Sequence, residues 1–317
     1  MQTIDIVVPA YNEVDSIRPL YERVFTVVER LPYAFRLIIV DDGSTDGTAE
    51  ACEKLAETDR RVGLIQLSRN FGHQAALTAA LDAADADAVI TMDADLQHPP
   101  EAIVDLIAAW EAGAELVHGV RRRIEPGGFF KRTTSNLFYR TMSFISEVPL
   151  VADAPDFRLL DKKVVRAIRG LREQSRFLRG MFAWIGFKQV TVQYAEEKRR
   201  EGRSKYNPLK MFAFALTAVL SFSRLPLRIA IVAGTLVSVC AFVYGGYAAA
   251  QRIIFARAIP GWTSLAVIIS LLSGAQMLFL GVVGEYLGQV HAEAKHRPLY
   301  VVRQTLIPDV TNAKQRS

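Results

Sequence analysis

The chain has 317 residues, of which 50% are hydrophobic and 22% charged, and its formal net charge is +5. This composition excludes an intrinsically disordered chain and a collagen-like repeat. Two cysteines, Cys52 and Cys240, are too few for a disulfide framework, and no Cys/His spacing is typical of a zinc site. The mean hydropathy of +0.16 is high for a wholly soluble protein, and the apolar residues that raise it are concentrated near the C-terminus.

The first 120 residues alternate short apolar runs with stretches of helical spacing. Five strands are predicted, at residues 4–9, 35–40, 62–67, 88–92 and 116–120. The intervening segments predict four helices, at residues 13–31, 45–58, 72–85 and 100–112. Strands that alternate with helices of this length are typical of a mainly parallel sheet with helices on both faces. The sequence therefore predicts an α/β domain.

Three polar clusters directly follow predicted strands: PAYNE at 9–13, DDGS at 41–44 and DADLQ at 93–97. Because ligands bind beyond the carboxyl ends of parallel strands, we expect the clusters to converge on one edge of the sheet. Neither a glycine-rich dinucleotide fingerprint nor a phosphate-binding P-loop is present. Carboxylates such as Asp93 and Asp95 would instead meet a substrate phosphate through a hard divalent cation. A helix N-cap or a solvated turn is the alternative for this pair.

The C-terminal third contains two long apolar segments, at residues 227–250 and 262–284. The first has one charged residue, Arg228, and the second has none. Since roughly 20 apolar residues cross a bilayer, both segments predict transmembrane helices, with a buried hairpin of core helices as the alternative. Flanking Lys and Arg residues favour a cytoplasmic location for both termini.

Residues 207–226 are apolar with basic ends, a pattern typical of a helix lying in the membrane interface. The basic cluster at 198–210 would bind anionic lipid or phosphate, or would form a solvated charged face. No nucleic-acid-binding motif is present, so nucleic acid is not an expected partner. The predicted organisation is a catalytic domain at 1–206, an interfacial helix at 207–226, a transmembrane hairpin at 227–290 and a cytoplasmic tail at 291–317.

Seven motifs along the chain occur in an order that resembles one enzyme family. They are PAYNE, DDGSTDGT, RNFGHQAALTAAL, MDADLQHPPE, DFRLLDKKV, RFLRGMFAWIGF and RREGRSKY. This set resembles the family 2 glycosyltransferases of the GT-A fold, and within them the polyprenyl-phosphate glycosyltransferases, which include bactoprenol glucosyltransferases and dolichol-phosphate mannose synthases. The resemblance covers nearly the whole chain, including the two apolar segments.

The resemblance implies roles for residues that match the family's donor-binding motifs. The positions that hold the nucleotide sugar are Pro9, Tyr11, Glu13, Asp42 and Asp93. The positions that hold the metal are Asp95 and Gln97, whose carboxylate and amide oxygens suit Mg²⁺ or Mn²⁺. Asp95 is thereby also implicated in catalysis.

A second set of residues matches phosphate-binding positions of the family. The acceptor phosphate is expected at Arg121, Arg132 and Ser135, although either arginine would also be unremarkable as an exposed basic residue. A loop that closes over phosphates is expected at Arg199, Ser204 and Lys205.

Asp156, in the DFRL motif, matches the position of a candidate catalytic base. A phosphate monoester has its second pKa near ~6, so the acceptor oxygen is already largely anionic at neutral pH. Asp156 is therefore expected to matter for rate, either as a base or by orienting basic groups and stabilising positive charge on the sugar. Arg158 is a candidate partner for Asp156 or for a phosphate.

The resemblance implies inverting transfer of a sugar, glucose from UDP-glucose, to undecaprenyl phosphate at the cytoplasmic face of a bacterial inner membrane, for cell-envelope or O-antigen glycosylation. It also implies a homotetramer. No residue selects the sugar, so GDP-mannose, UDP-galactose and a UDP-aminosugar remain alternatives. A processive polysaccharide synthase would carry a Q-x-x-R-W motif, which is absent. A non-catalytic nucleotide-sugar binder is the alternative outside the enzymes.

Overall fold

The computed structural model describes residues 1–122, residues 155–195 except 175, scattered helical positions between 232 and 247, and residues 261–307. These residues belong to two units. The first unit contains 1–122, 155–195 and 298–307, and the second contains the remaining described residues. The predicted interfacial helix at 207–226 lies outside the described residues.

The first unit is an α/β domain with a single sheet. Its strands are β1 (Thr3–Ala10), β2 (Ala34–Asp41), β3 (Val62–Leu67), β4 (Ala88–Thr91), β5 (Leu116–Arg121), β6 (Arg158–Asp161), β7 (Gln189–Tyr194) and β8 (Val302–Leu306). Its helices are α1 (Val14–Val28), α2 (Thr48–Thr58), α3 (His73–Ala83), α4 (Ile103–Glu111), α5 (Lys162–Gly170) and α6 (Leu178–Trp184), with a 3₁₀ turn at Pro100–Ala102. The strand order is β7-β5-β6-β4-β1-β2-β3-β8.

The centre of the sheet is parallel, which confirms the predicted α/β class. Strand β1 pairs in parallel with β2 on one side and β4 on the other, and β2 pairs in parallel with β3. Strand order therefore reverses between β1 and β4, and a crevice at such a reversal is the usual ligand site of an open α/β sheet. Side chains from both faces of β1, such as Ile6 and Val7, are buried, as expected for a strand covered by helices on both sides.

Helix α2 begins three residues later than the sequence pattern suggests. Gly47 adopts a left-handed conformation with φ of 94°, which a continuing helix does not allow. The carboxylate of Asp46 accepts a hydrogen bond from the backbone N–H of Thr48 at 3.0 Å. The DDGSTDG segment is therefore a structured turn that delivers the chain into α2.

Two antiparallel strands were not predicted from the sequence. Strand β8 pairs antiparallel with β3, and β6 lies antiparallel between β4 and β5. Because β6 runs opposite to β4, its first residue, Arg158, faces Thr91 at the end of β4. This reversal brings the segment before β6 to the edge of the sheet where the parallel strands end.

The second unit contains helix α7 (Trp262–Ala294), 33 residues long. No helix within the described residues is both long and apolar enough to span a bilayer. The structure thus does not support the predicted transmembrane helices: the second lies within α7, and the first lies mostly outside the described residues. Part of the segment expected to be a C-terminal tail, 302–306, forms strand β8 of the first unit.

Candidate active site

A cavity of about 310 Å³ opens at the carboxyl ends of β1, β2 and β4. The polar clusters expected to converge do so here. The predicted residues that line the cavity are Pro9, Tyr11, Glu13, Asp42, Asp93 and Asp95. All five residues predicted to hold the nucleotide sugar therefore share one site with the first predicted metal ligand.

The loop after β1 is bound to the turn after β2 by reciprocal hydrogen bonds. The backbone N–H of Asn12 donates to the hydroxyl of Ser44, and the side-chain oxygen of Asn12 accepts from the N–H of Thr45, both at 2.9 Å. Asn12 has a left-handed φ of 55°, which asparagine tolerates better than most residues. Tyr11, next to this braced loop, lines the cavity and is 47% exposed, so its ring can stack on a planar ligand.

The buried carboxylate of Asp42 fixes the loop that follows β3. Its two oxygens accept hydrogen bonds from the backbone N–H groups of Phe71 at 2.7 Å and Gly72 at 2.9 Å. Burial raises the pKa of Asp42, and these two hydrogen bonds oppose the rise. The expected contact between Asp42 and the nucleotide sugar stays a prediction, but the structure shows that Asp42 holds the loop after β3.

Asp156 lies two residues before Arg158, the first residue of β6, and is held as a carboxylate by two arginines. Arg158 donates to Asp156 Oδ1 from Nη1 at 2.7 Å, and Arg179 on α6 approaches both carboxylate oxygens at 3.4 Å. Burial alone would raise the pKa of Asp156, but Arg158 and Arg179 lower it well below its usual range. Arg158 is itself buried, so it is the partner of Asp156 and is not placed to meet a phosphate.

His73, the first residue of α3, joins two carboxylates across the cavity. Its Nε2 lies 3.1 Å from Asp93 Oδ1 and 3.9 Å from Asp156 Oδ2. Burial and the nearby charge of Asp156 raise the pKa of Asp93, whereas His73 lowers it. The ends of β3 and β4 and the start of β6 therefore meet at one polar centre.

The predicted metal ligands offer an incomplete set of hard oxygen donors. Asp95 Oδ1 accepts from the backbone N–H of Gln97 at 3.1 Å, and Gln97 Oε1 accepts from Arg121 at 3.5 Å. Among the described residues, no group of three or more His, Cys, Asp or Glu side chains is arranged to hold a metal ion. Two oxygen donors nevertheless fit Mg²⁺ or Mn²⁺, because such ions keep waters and substrate phosphates as further ligands.

The predicted phosphate-binding residues are only partly within the structure. Arg121 ends β5 and contacts the amide of Gln97, which places it beside the predicted metal ligands. The others fall outside the described residues: Arg132, Ser135, Arg199, Ser204 and Lys205.

Sequence reasoning missed His73, Asn70 and Arg179. Asn70 and His73 line the cavity and belong to the segment after β3. A polar cluster, SRNFGH, follows this strand just as clusters follow β1, β2 and β4, so the same rule would have found them. Arg179 lies in the RFLRGMFAWIGF motif, but it follows no predicted strand, and only the packing of α6 brings it to Asp156.

Comparison with known proteins identifies the family. Residues 5–169 match the family described as glycosyl transferase family 2. The chain belongs to this family. The predicted family 2 glycosyltransferase with a GT-A-like α/β domain is thereby confirmed, and the chain is an enzyme of that class.

Two relatives and one solved structure illustrate the range of similarity. An uncharacterised glycosyltransferase of Bacillus subtilis is 41% identical over 95% of this chain and 93% of its own length. A bactoprenol glucosyl transferase of Shigella phage SfV is 38% identical over 95% of this chain and 98% of its own. The crystal structure of mannosyl-3-phosphoglycerate synthase from Rubrobacter xylanophilus has a TM-score of 0.47 and 18% identity, covering 69% of this chain and 73% of that chain.

Proposed function

We propose that this glycosyltransferase moves a sugar, glucose from UDP-glucose, to a polyprenyl phosphate. The observation that carries the proposal is the convergence of carboxylates where the strand order of the sheet reverses: Asp93 and Asp95 line the cavity, and Asp156 Oδ2 lies 3.9 Å from the lining residue His73. The 38% identity to a bactoprenol glucosyl transferase, over nearly the full length of both chains, supports glucose and a lipid phosphate as substrates.

The geometry supports division of the cavity into two ends. Tyr11 and Asp42 form the end that would hold the nucleotide, since a half-exposed ring and a structured loop lie there. Asp93, His73 and Asp156 form the end that would hold the sugar and the leaving phosphate. The acceptor oxygen would attack the anomeric carbon as the bond to the diphosphate breaks, with inversion, and UDP would leave.

Asp156 is proposed to act electrostatically, and not as a base that removes a proton. Arg158 and Arg179 satisfy its oxygens and stabilise its charge, which makes it weakly basic. The acceptor needs no strong base, because its phosphate is already largely ionised near neutral pH. The Asp156 carboxylate would instead stabilise positive charge that develops on the sugar ring.

Asp95 and Gln97 are proposed to hold a divalent cation together with the donor diphosphate. When bound, the ion would neutralise negative charge on the leaving group. Arg121 lies beside Gln97 and would add a fixed positive charge at the same place. The predicted roles of the segments outside the described residues, acceptor binding and closure over phosphates, remain part of this proposal.

Attachment to the cytoplasmic face of a bacterial inner membrane is proposed from the sequence, because the acceptor lipid resides in a bilayer. The apolar segments at 207–226, 227–250 and 262–284 support it, and assembly as a tetramer is proposed with it. Carbonate extraction of membranes from expressing cells tests attachment: release of the full chain into the alkaline supernatant would contradict integral insertion. Native mass measurement of the detergent-purified chain tests the tetramer.

The reaction is tested with the purified full chain, radiolabelled UDP-glucose, Mn²⁺ or Mg²⁺ and a short polyprenyl phosphate. We expect label in the organic phase, and parallel assays with GDP-mannose, UDP-galactose and a UDP-aminosugar identify the preferred donor. Absence of organic-soluble label with every donor would overturn the proposal.

The site is tested with Asp156→Asn and Asp95→Asn, each compared with Asp105→Asn on the exposed side of α4. Loss of a charged group that contacts the reacting atoms should lower kcat by roughly 10²-fold or more. The Asp105 variant should keep wild-type kcat. Near-normal transfer by either site variant would refute the role assigned to that residue.

A further inference from the structure

A hydrogen-bonded chain of polar side chains extends from Asp156; its members Arg158 and His118 are buried, and Gln189 is half-buried. Arg158 bonds to Asp156 with Nη1 at 2.7 Å, and its Nε lies 3.1 Å from His118 Nδ1 on β5. The other ring nitrogen, His118 Nε2, lies 2.9 Å from Gln189 Oε1 on β7. Gln189 Nε2 then donates to the backbone carbonyl of Phe182 at 2.9 Å.

The donors and acceptors along this chain leave only one consistent arrangement. An arginine Nε can only donate, so His118 Nδ1 must be the acceptor and Nε2 must carry the proton. Gln189 presents its oxygen to that proton and its amide group to the Phe182 carbonyl. Burial, reinforced by Arg158, lowers the pKa of His118 to about 4, which agrees with a neutral ring.

Each member of the chain has a distinct structural effect on Asp156. His118 fixes the rotation of the buried guanidinium of Arg158, because it engages the Nε edge while Asp156 engages Nη1. Gln189 satisfies a carbonyl near the C-terminal end of α6, where intrahelical donors run out. Helix α6 in turn carries Arg179, the second cation that contacts Asp156.

We propose that His118 and Gln189 are positioning residues for sugar transfer, which hold both arginines so that the Asp156 carboxylate keeps one orientation beside His73 at the cavity. This inference rests on the proposed function, in which Asp156 acts on the sugar. Neither residue lines the donor cavity, so their effect should appear in the rate of transfer and not in donor affinity.

The test compares His118→Leu, His118→Asn and Gln189→Leu with Gln193→Leu. Gln193 lies on the same strand but is exposed, so it controls for replacing a β7 glutamine with an apolar residue. Measurements are kcat, KM for the donor and for the lipid phosphate, and the midpoint of thermal unfolding, all on the full chain.

Misplacement of a reacting group by about 1 Å can cost on the order of 10²-fold, so we expect His118→Leu to lower kcat by roughly ten- to a hundredfold. Donor KM should stay within about twofold of wild type, because uniform binding is unaffected. His118→Asn should recover part of the loss, since its amide oxygen can still accept from Arg158. Gln189→Leu should lower kcat by an intermediate amount. The variant that carries both His118→Leu and Gln189→Leu should lose less kcat than the product of the two single losses.

Folded His118→Asn and Gln189→Leu proteins with wild-type kcat would overturn the inference, as would a donor KM increase at unchanged kcat. These two variants carry the test if His118→Leu does not fold. Wild type and Gln193→Leu must both transfer sugar; if neither does, the proposed function fails, whatever the state of the hydrogen-bonded chain. The chain is then judged by stability. Additive effects of His118→Leu and Gln189→Leu on the midpoint of thermal unfolding would refute the coupling between these two residues.

Discussion

Replacement of Gly43 by alanine should damage the donor end of the cavity. Gly43 follows Asp42 in the turn after β2 and has a left-handed φ of 69°. A Cβ atom placed there would lie 2.5 Å from the carbonyl carbon of Arg69 and 2.7 Å from the backbone nitrogen of Asn70. Both contacts are with backbone, so no side-chain rotation can relieve them, and the loop after β3 must move.

The expected cost has two parts. A left-handed conformation costs a non-glycine residue roughly 1–2 kcal/mol, partly offset by about 0.4–1 kcal/mol from the lower entropy of the unfolded alanine chain. The clash adds roughly 1–3 kcal/mol, as for other overpacked sites. The net cost, about 1–5 kcal/mol, is a substantial fraction of the roughly 5–15 kcal/mol that stabilises a typical domain.

Gly47→Ala is the matched control, because Gly47 also has a positive φ, of 94°, but the nearest atoms to its Cβ would be 3.9 Å away. Urea unfolding of both variants, followed by circular dichroism, should place Gly43→Ala well below Gly47→Ala in stability. Calorimetric titration with UDP should also show weaker binding for Gly43→Ala, since the shifted loop includes Asn70.

Equal unfolding midpoints for the two variants would show that the close approach of Gly43 to the loop after β3 contributes nothing. Weak nucleotide binding by Gly47→Ala alone would place the donor end elsewhere. Either result would refute the reasoning from the geometry of this turn.

Three further predictions concern buried groups. Asp5→Ala should lower the free energy of unfolding by roughly 3–5 kcal/mol, because it removes the carboxylate that pairs with the guanidinium of Arg36. Glu22→Ala, which removes one member of an exposed ion pair, should lower it by at most about 1 kcal/mol. Equal losses for the two variants in urea unfolding would contradict this prediction. Burial, with help from Arg158, lowers the pKa of His118 to about 4, below the roughly 6.5 of an unfolded histidine. The unfolded state therefore binds more protons in that window, so stability should be complete above about pH 6.5 and fall toward pH 4, with a shallower slope in His118→Asn. Burial raises the pKa of Cys52 to about 12, so maleimide at pH 8 should label this thiol only after urea is added. Because Cys240 is exposed, the label must be located by peptide mass spectrometry, and label on Cys52 in the native chain would count against its burial.

Local patterns along the first 120 residues were enough to predict five strands close to their observed bounds. Each of these strands is a mainly apolar run, and its own residues indicate that both of its faces are buried, as in IDIVV at 4–8. The later strands are harder, because RLLD in β6 and VRQTL in β8 are short and gain their strand character only by pairing with β4, β5 and β3.

Half of the site was predictable for a similar reason. Tyr11, Asp42 and Asp93 follow parallel strands, and parallel strands that end at one edge must bring such residues together. His73 obeys the same rule after β3. Arg179 does not, because it lies 23 residues from Asp156 in the chain and reaches it only through the packing of α6.

The sequence by itself determined the α/β class, the edge of the sheet that holds the cavity and the carboxylates that line it, because these follow from local periodicity and from the ends of parallel strands. Only the tertiary structure decided how those carboxylates are charged and oriented. The antiparallel insertion of β6 brings Asp156 to 3.9 Å from His73, which also contacts Asp93. The buried contact of Arg158 with His118 depends on the pairing of β6 with β5, and the contact of Arg179 with Asp156 depends on the packing of α6. Because these contacts join residues 40 and 23 positions apart in the chain, no local pattern encodes them.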